Sequence, residues 1–323
     1  MSRTITNARA EELLASLLAR LQSLPVDTLA PQSLGLSNDC YTDILRLDQL
    51  HPVLQGNKFF KLLVHWPDLL QADGWVTPGG VWSNHLHAVA WLAQQLEISA
   101  TGLIRGYAAQ PLTAMLADCQ RWGMQLQFLD RKAYQQRYDA VWQRQQAQNF
   151  HGYFIGEGGA LAAFSQGSAN SCAASFCDQA EQAFDWLIRQ AAGYDQICLA
   201  IGSGTLAEHL LPRLPAAVRL LGVQVVADQG ALQQGWQQQF SGYNWRLLSS
   251  AASFGKQRQQ LLPLIQQWDQ QQLPLEPIYT APMLAAVTLH KAEFEGRKTL
   301  FLHGGGLQGR RGIGLDYVFG DSA

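Results

Sequence analysis

Gly74-Trp75-Val76-Thr77-Pro78-Gly79-Gly80-Val81-Trp82-Ser83-Asn84-His85 passes from a short apolar run, through paired glycines, into a helix start. A strand that feeds a helix in this way is the repeating unit of a parallel α/β sheet, because parallel neighbours require a crossover. The rest of the region keeps the rhythm. Apolar runs at 100–105, 125–129 and 152–155 alternate with helical spacing at 83–97, 111–122 and 131–147. A second series follows, with buried strands at 196–201 and 220–226, a helix at 205–211 between them, a helix at 282–294 and a late strand at 299–303. Upstream, Leu13, Leu14, Leu17, Leu18 and Leu21 stand at helical spacing within 8–24, and Pro25 ends that helix. Residues 42–47 alternate like a strand, and 57–71 return to helical spacing with Pro67 placed to kink or divide the element. The pattern predicts two open αβα units with mostly parallel sheets, and Gly156-Glu157-Gly158-Gly159 marks the crossing from one series to the other.

The 323 residues allow one large α/β domain or two smaller ones, and no internal repeat or long polar linker is visible. Hydrophobic residues make up 47%, charged residues 15%, and the formal charge is -2. That balance excludes a basic nucleic-acid surface and a polybasic membrane anchor, and it favours a small-molecule site. Glutamine-rich stretches at 135–148 and 257–272 replace charges on helix faces that are expected to be exposed. Cys40, Cys119, Cys172, Cys177 and Cys198 form no CxxC pair, zinc spacing or even disulfide framework, so reduced and mostly buried thiols are expected, with no metal. No basic segment followed by an apolar run opens the chain, and no stretch of membrane-spanning length is apolar throughout. A cytoplasmic location is the expectation.

Four segments could carry chemistry. Lys58, in Gln55-Gly56-Asn57-Lys58-Phe59-Phe60-Lys61-Leu62, sits at the mouth of an apolar segment, where an amine with a lowered pKa can form a Schiff base. Most lysines are solvated charges, so Lys58 alone proves nothing. Ser83 is a natural N-cap; the same helix start could instead hold a substrate carboxylate, with Asn84 reaching a polar ring substituent and Ser83 moving a proton. His85 and His87, two apart on a helix, point in different directions and do not suggest a shared metal. Ile201-Gly202-Ser203-Gly204-Thr205-Leu206-Ala207 follows an apolar strand and opens a helix, so backbone amides and two hydroxyls could cradle a phosphate. The same segment fits a loose dinucleotide fingerprint, with Asp228 placed to hold a ribose hydroxyl, and a plain structural turn is a third reading. Tyr279 and Thr280, in Glu276-Pro277-Ile278-Tyr279-Thr280, read either as a core aromatic and a cap or as site residues, and His303-Gly304-Gly305-Gly306 ends the last strand in a tight turn or a backbone wall beside a flat ligand.

Taken in order, Gly56-Asn57-Lys58 with Lys61-Leu62, Gly79-Gly80 with Ser83-Asn84-His85, Glu157-Gly158-Gly159, Gly202-Ser203-Gly204-Thr205, Glu276-Pro277-Ile278-Tyr279-Thr280 and His303-Gly304-Gly305 resemble the 1-aminocyclopropane-1-carboxylate deaminase/D-cysteine desulfhydrase family from about Leu47 to Gly306. The resemblance implies the tryptophan synthase β-like fold (fold type II), with residues 1–60 and 160–323 as a larger cofactor-binding domain, 61–159 as a smaller inserted domain, and pyridoxal 5'-phosphate in the cleft between them. It implies that Lys58 carries the cofactor aldehyde as an imine and moves the substrate α-proton. Asn84 would bond the pyridoxal 3-oxygen, Ser83 and His85 would face the substrate carboxylate, and Gly202, Ser203, Gly204 and Thr205 would hold the phosphate. Tyr279 would lie beside ring and substrate, and Thr280 would bond the pyridine nitrogen. Family members that open the cyclopropane have glutamate at the position of Thr280, so threonine points to D-cysteine desulfhydrase-like β-elimination from a small amino acid, giving pyruvate, ammonia and sulfide. A homodimer is also implied. This chain departs from the family pattern at Ala160, Ala281, Pro282, Gly304 and His87, which bears on the substrate and leaves the cofactor assignment intact. The alternatives are 1-aminocyclopropane-1-carboxylate deamination, a nicotinamide-dependent oxidoreductase built on Gly202 to Asp228, and a non-catalytic binding member of the fold.

Overall fold

The computed structural model describes residues 3–108, 111–163, 174–226, 228–250 and 258–317. In chain order these form α1 (Arg3–Leu21), β1 (Val26–Thr28), β2 (Tyr41–Leu45), α2 (Gly56–Leu63), α3 (Trp66–Gln71), β3 (Gly74–Gly79), α4 (Asn84–Leu96), β4 (Ser99–Arg105), α5 (Ala114–Arg121), β5 (Gln125–Leu129), α6 (Arg131–Gln135), α7 (Ala140–Asn149) and β6 (Tyr153–Phe154). They continue as α8 (Ala174–Ala191), β7 (Gln196–Ile201), α9 (Thr205–Leu210), β8 (Arg219–Gln224), α10 (Ala231–Gln239), β9 (Trp245–Ser249), α11 (Leu262–Asp269), α12 (Thr280–Leu289) and β10 (Lys298–Leu302).

The chain divides into two compact units, the first holding Met1–Leu21 and His51–Ala183, the second Gln22–Leu50 and Phe184–Tyr317. These boundaries differ from those expected at 60/61 and 159/160. The first helix lies in the first unit because its apolar stripe, Ala10, Leu14, Leu17 and Leu21, is buried and packs on α3 and α4. The Lys58 segment and the Gly156–Gly159 turn belong to that unit too, so the turn does not mark the crossing; the chain passes to the second unit within α8.

The first unit carries a four-stranded sheet in the order β5-β4-β3-β6, parallel throughout. Val76, Leu103 and Phe154 from three of its strands pack with Trp142 of α7. Pro78 is tolerated inside β3 because β6 pairs only with Trp75 and Val76, so its missing N–H costs no bond to that strand. The second unit carries a six-stranded sheet in the order β1-β2-β10-β7-β8-β9, parallel except for the antiparallel edge pair β1 and β2. Phe301 pairs with Ile44 on one side and Cys198 on the other, and these join Leu221, Val223, Met283, Val287 and Trp268 in the main core.

Several elements differ from expectation in extent. The run at 57–71 breaks into α2 and α3 with Pro67 in the first turn of α3. The run at 131–147 breaks into α6, a 3-10 turn (Gln136–Tyr138) and α7, whose N-cap Asp139 accepts the Trp142 N–H. The helix expected at 282–294 begins at Thr280 and ends at Leu289. Glutamines 135, 136, 145, 148, 266 and 267 are exposed as expected, but Gln143 is buried, donating to the Arg137 carbonyl and accepting from Ala163 N–H. Gln257 lies outside the described residues. Cys40, Cys119 and Cys198 are free and buried, whereas Cys172 and the Cys177 side chain lie outside the described part. Among the described residues no helix is long and apolar enough to cross a membrane.

Candidate active site

The expected site residues fall into two sets. In the first unit, α2 begins at Gly56 after an extended Gln55, and the Lys58 N–H bonds the Gln55 carbonyl at 2.8 Å. Lys58 is 8% exposed and Lys61, one turn on, 5%, so two side chains that would ordinarily be solvated are buried. Lys61 Nζ donates to the Gly158 carbonyl at 3.0 Å, and His65, one further turn along, brings Nε2 within 3.1 Å of the Gly159 carbonyl and Nδ1 within 3.0 Å of the Tyr153 hydroxyl. The glycine turn is thus clasped by two side chains a helical turn apart. Gly159 has φ +90°, and a Cβ there would stand 3.0 Å from Lys61 Cβ, so only glycine lets the turn lie this close to α2.

Ser83 caps α4, its Oγ accepting the Leu86 N–H at 3.2 Å, so the capping role is real. Gly79 permits this start, since a Cβ there would meet Leu86 Cγ at 2.6 Å, whereas a Cβ on Gly80 would meet nothing within 4 Å. Asn84 and His85, in the first turn of α4, are buried. His85 Nε2 lies 2.9 Å from the Thr77 hydroxyl within β3. Its Nδ1 is buried without a hydrogen-bond partner among the described residues. Burial above all, then the charges of Lys58, Lys61 and His65, hold the imidazole pKa well below its usual value, so His85 is neutral. His87 turns elsewhere, with Nε2 3.2 Å from Asp118 and its ring edge-on to Trp122, as the two-residue spacing predicts. Glu157 takes no part in this cluster. It accepts from the Tyr134 hydroxyl (2.5 Å), Arg137 Nε (2.7 Å) and the Tyr138 hydroxyl (2.6 Å), and although burial opposes it, these bonds hold its carboxyl below the usual range.

In the second unit, β7 runs into Gly202-Ser203-Gly204 and then α9. Ser203 Oγ and Thr205 Oγ1 lie 3.0 Å apart, which gathers two hydroxyl donors beside the amides that open the helix. Gly202 faces the Tyr279 ring, where a Cβ would stand 3.1 Å from Cε1. Gly204 has φ +82°, and a Cβ there would meet Leu232 at 2.9 Å. Tyr279 and Thr280 are placed by a residue for which the sequence reading gave no role. Glu276, fully buried, accepts from Ile278 N–H (2.8 Å), Tyr279 N–H (2.8 Å) and Thr280 N–H (2.5 Å), and so caps α12. Burial pushes its pKa up to about 7 against the pull of those amides. His303 is buried, with Nε2 2.7 Å from the Pro274 carbonyl and Nδ1 accepting Gly305 N–H at 3.2 Å.

Asp228, the residue on which a dinucleotide reading depends, is otherwise engaged. Its carboxylate accepts Gly230 N–H at 3.0 Å and Leu232 N–H at 2.8 Å, capping α10, and despite some desolvation those bonds lower its pKa. Thr77, Lys61 and Glu276 are the residues for which sequence reasoning proposed no function. An acidic side chain just ahead of a helix start was the available signal for Glu276, and the i, i+4 pair 61/65 was the signal for the clasp. No sequence pattern pairs Thr77 with His85, because only the packing of α4 on β3 brings them together.

No protein-family model matches the chain, and no curated protein matches it by sequence. Solved structures do match. An ACC deaminase homologue is 20% identical over 91% of this chain and 96% of that one, with a TM-score of 0.69. A pyridoxal 5'-phosphate-dependent aspartate racemase is 10% identical over 91% and 94%, with a TM-score of 0.60. Diaminopropionate ammonia lyase of Escherichia coli, in apo form, is 13% identical over 93% and 88%, with a TM-score of 0.56. The chain therefore has the α/β fold with parallel sheets of the fold type II pyridoxal-phosphate enzymes.

Proposed function

We propose that this chain is a pyridoxal 5'-phosphate-dependent lyase or deaminase acting on a small amino acid, and more narrowly a D-cysteine desulfhydrase-like enzyme that releases pyruvate, ammonia and sulfide by β-elimination. The observation that carries the reading is the buried Lys58 amine beside a neutral, buried His85 whose Nδ1 lacks a partner among the described residues, in a chain of this fold. The residues present fit the cofactor. Open space at Gly80, the paired Ser203 and Thr205 hydroxyls and the flat Tyr279 ring against Gly202 each suit one part of it.

Lys58 would hold its aldehyde carbon, Asn84 its 3-oxygen, Gly202, Ser203, Gly204 and Thr205 its phosphate, and Thr280 its pyridine nitrogen. When bound, pyridoxal phosphate supplies an electron sink for the bonds at the substrate α-carbon. Lys58 would take the substrate α-proton on Nζ, and the electron pair freed at the α-carbon would expel the β-substituent, the Cβ–S bond breaking with its pair left on sulfur. The Nδ1 of His85 and the amides at the start of α4 bind the substrate carboxylate, with Lys61 adding positive charge nearby. Ser83 and Tyr279 are the groups that carry protons on the substrate side. The Ala160, Ala281, Pro282 and Gly304 departures shape that same side and set which small amino acid is taken. We take the active form to be a cytoplasmic homodimer, a reading supported by buried free thiols and the resemblance described above.

Purified protein should show a visible absorbance that borohydride abolishes and Lys58→Ala removes, with the reduced adduct on the Lys58 peptide by mass spectrometry. D- and L-cysteine, D- and L-serine and 1-aminocyclopropane-1-carboxylate are then compared for keto-acid release, D-cysteine being expected to lead. A colourless protein that binds NAD would overturn the reading. The likeness to the ACC deaminase homologue favours cyclopropane opening as a second reading, which 2-oxobutyrate release would establish.

A further inference from the structure

Thr77 enters none of the steps above, although its hydroxyl is bonded to the one ring among them that must bind an anion without carrying a charge. Thr77 is 0% exposed, its Oγ1 stands 2.9 Å from His85 Nε2, and among the described residues no other hydrogen bond reaches that hydroxyl or either nitrogen of the ring. The glycine turn against the ring supplies none. His85 Cε1 is 3.6 Å from where a Cβ on Gly159 would stand, but the Gly159 carbonyl faces His65 Nε2 at 3.1 Å and the Gly158 carbonyl accepts from Lys61 at 3.0 Å. A neutral imidazole has one N–H and one bare nitrogen, and the bond made by one nitrogen decides what the other is. If the hydroxyl accepted from Nε2, its own proton would lack an acceptor inside β3, and Nδ1 would be bare. If it donates to Nε2, the hydroxyl proton is satisfied, and the donor left over is Nδ1–H in the first turn of α4, after a Gly80 beside open space. Buried donors find acceptors in native proteins, and only the second arrangement leaves its spare donor where a ligand can complete it. The branched Cβ of threonine holds the hydroxyl in place for this bond.

We propose that Thr77 is a positioning residue that donates its hydroxyl proton to His85 Nε2 and so holds the imidazole as the Nδ1–H tautomer, a neutral donor for the substrate carboxylate. This role rests on the assignment of His85 to that carboxylate under the proposed function. The other tautomer would set a nitrogen lone pair against a carboxylate oxygen, acceptor facing acceptor. As an N–H donor the ring bonds a charged oxygen without becoming an imidazolium, a form that burial and the charges of Lys58, Lys61 and His65 disfavour.

The experiment is nitrogen-15 NMR of the histidine side chains at neutral pH in protein loaded with pyridoxal phosphate, the His85 signals being those lost in His85→Gln. In wild type, Nδ1 should show the shift of a protonated nitrogen and Nε2 that of a bare one. Thr77→Val keeps the side-chain shape, removes the donor, and should move the proton to Nε2, the form that an unconstrained histidine prefers. Thr77→Ser returns a hydroxyl, should keep Nδ1–H, and guards against a folding defect in the valine variant. With the amino acid of the panel above that is turned over, Thr77→Val should raise KM about 10-fold or more with kcat near wild type, the size expected when a hydrogen bond to a charged group is lost, and Thr77→Ser should restore it. A proton on Nε2 in wild type, an Nδ1–H that survives Thr77→Val in folded protein, or a valine variant with unchanged KM overturns the proposal. Absence of the borohydride-reduced Lys58 adduct, or of keto-acid release from the whole panel, overturns the functional reading and the carboxylate role with it; an adduct and turnover with the proton on Nε2 overturn this inference alone.

Discussion

Replacing Glu276 by glutamine should change how stability depends on pH, by an amount that follows from burial. The carboxyl titrates near its ordinary value of 4.5 in the unfolded chain and at about 7 in the folded one, because no water reaches it. A carboxyl whose pKa is raised by folding stabilises the folded state fully below the unfolded value, and that contribution is lost as pH rises through the folded value. At 1.36 kcal/mol per pH unit, the gap corresponds to about 3 kcal/mol, lost progressively between about 4.5 and about 7. Glutamine cannot ionise and carries none of this dependence. Urea unfolding of both proteins across that interval should show wild type losing about 3 kcal/mol relative to the variant as pH rises. A constant difference, or a wild-type gain with rising pH, would refute the burial argument.

Gly159→Ala forces a side chain onto φ +90° with its Cβ 3.0 Å from Lys61, and thermal unfolding should register a loss of about 1–3 kcal/mol; an unchanged midpoint would show that the turn relaxes freely. Thr77→Val strips His85 Nε2 of its hydroxyl partner, and chemical denaturation should show a cost of about 1–3 kcal/mol for the buried nitrogen left behind; a neutral result would mean that water reaches the ring. Asp228→Ala removes the cap of α10, should cost about 0.5–2 kcal/mol, and should leave cofactor absorbance intact. Loss of that absorbance would return Asp228 to the list of ligand-binding groups.

Much of the framework is legible because local rules and tertiary structure agree. β5 falls on 125–129 as read, and the β3 to α4 passage shows its glycines and its serine cap in order. Elements missed from the sequence have weak patterns for physical reasons. β1 is three residues long and mostly exposed, and β9 is an edge strand with only Leu248 buried, so neither shows a clean alternation. The single helix read at 131–147 is broken at Asp139, whose backbone turns extended (φ -78°, ψ 126°) so that its side chain can cap α7 by accepting the Trp142 N–H. Among the candidate site residues, Lys58, Ser83, Asn84 and the Gly202 loop stand out by residue type and glycine spacing. His85 is visible as a residue, but its neutrality is not, since it arises from burial beside cations that lie near it only after folding.

The clamp on Glu157 has a consequence for how the first unit opens. Two tyrosine hydroxyls and a guanidinium converge on one carboxylate, Arg137 lies over both tyrosine rings at 4.6 and 4.2 Å, and the adjoining glycines are gripped from α2. Releasing any one of these groups leaves the half-buried Glu157 carboxylate and Arg137 guanidinium short of partners. The stretch from Arg131 to Tyr138 and the turn at Glu157–Gly159 should therefore exchange their amide hydrogens as one cooperative block, rather than fraying residue by residue like ordinary surface loops.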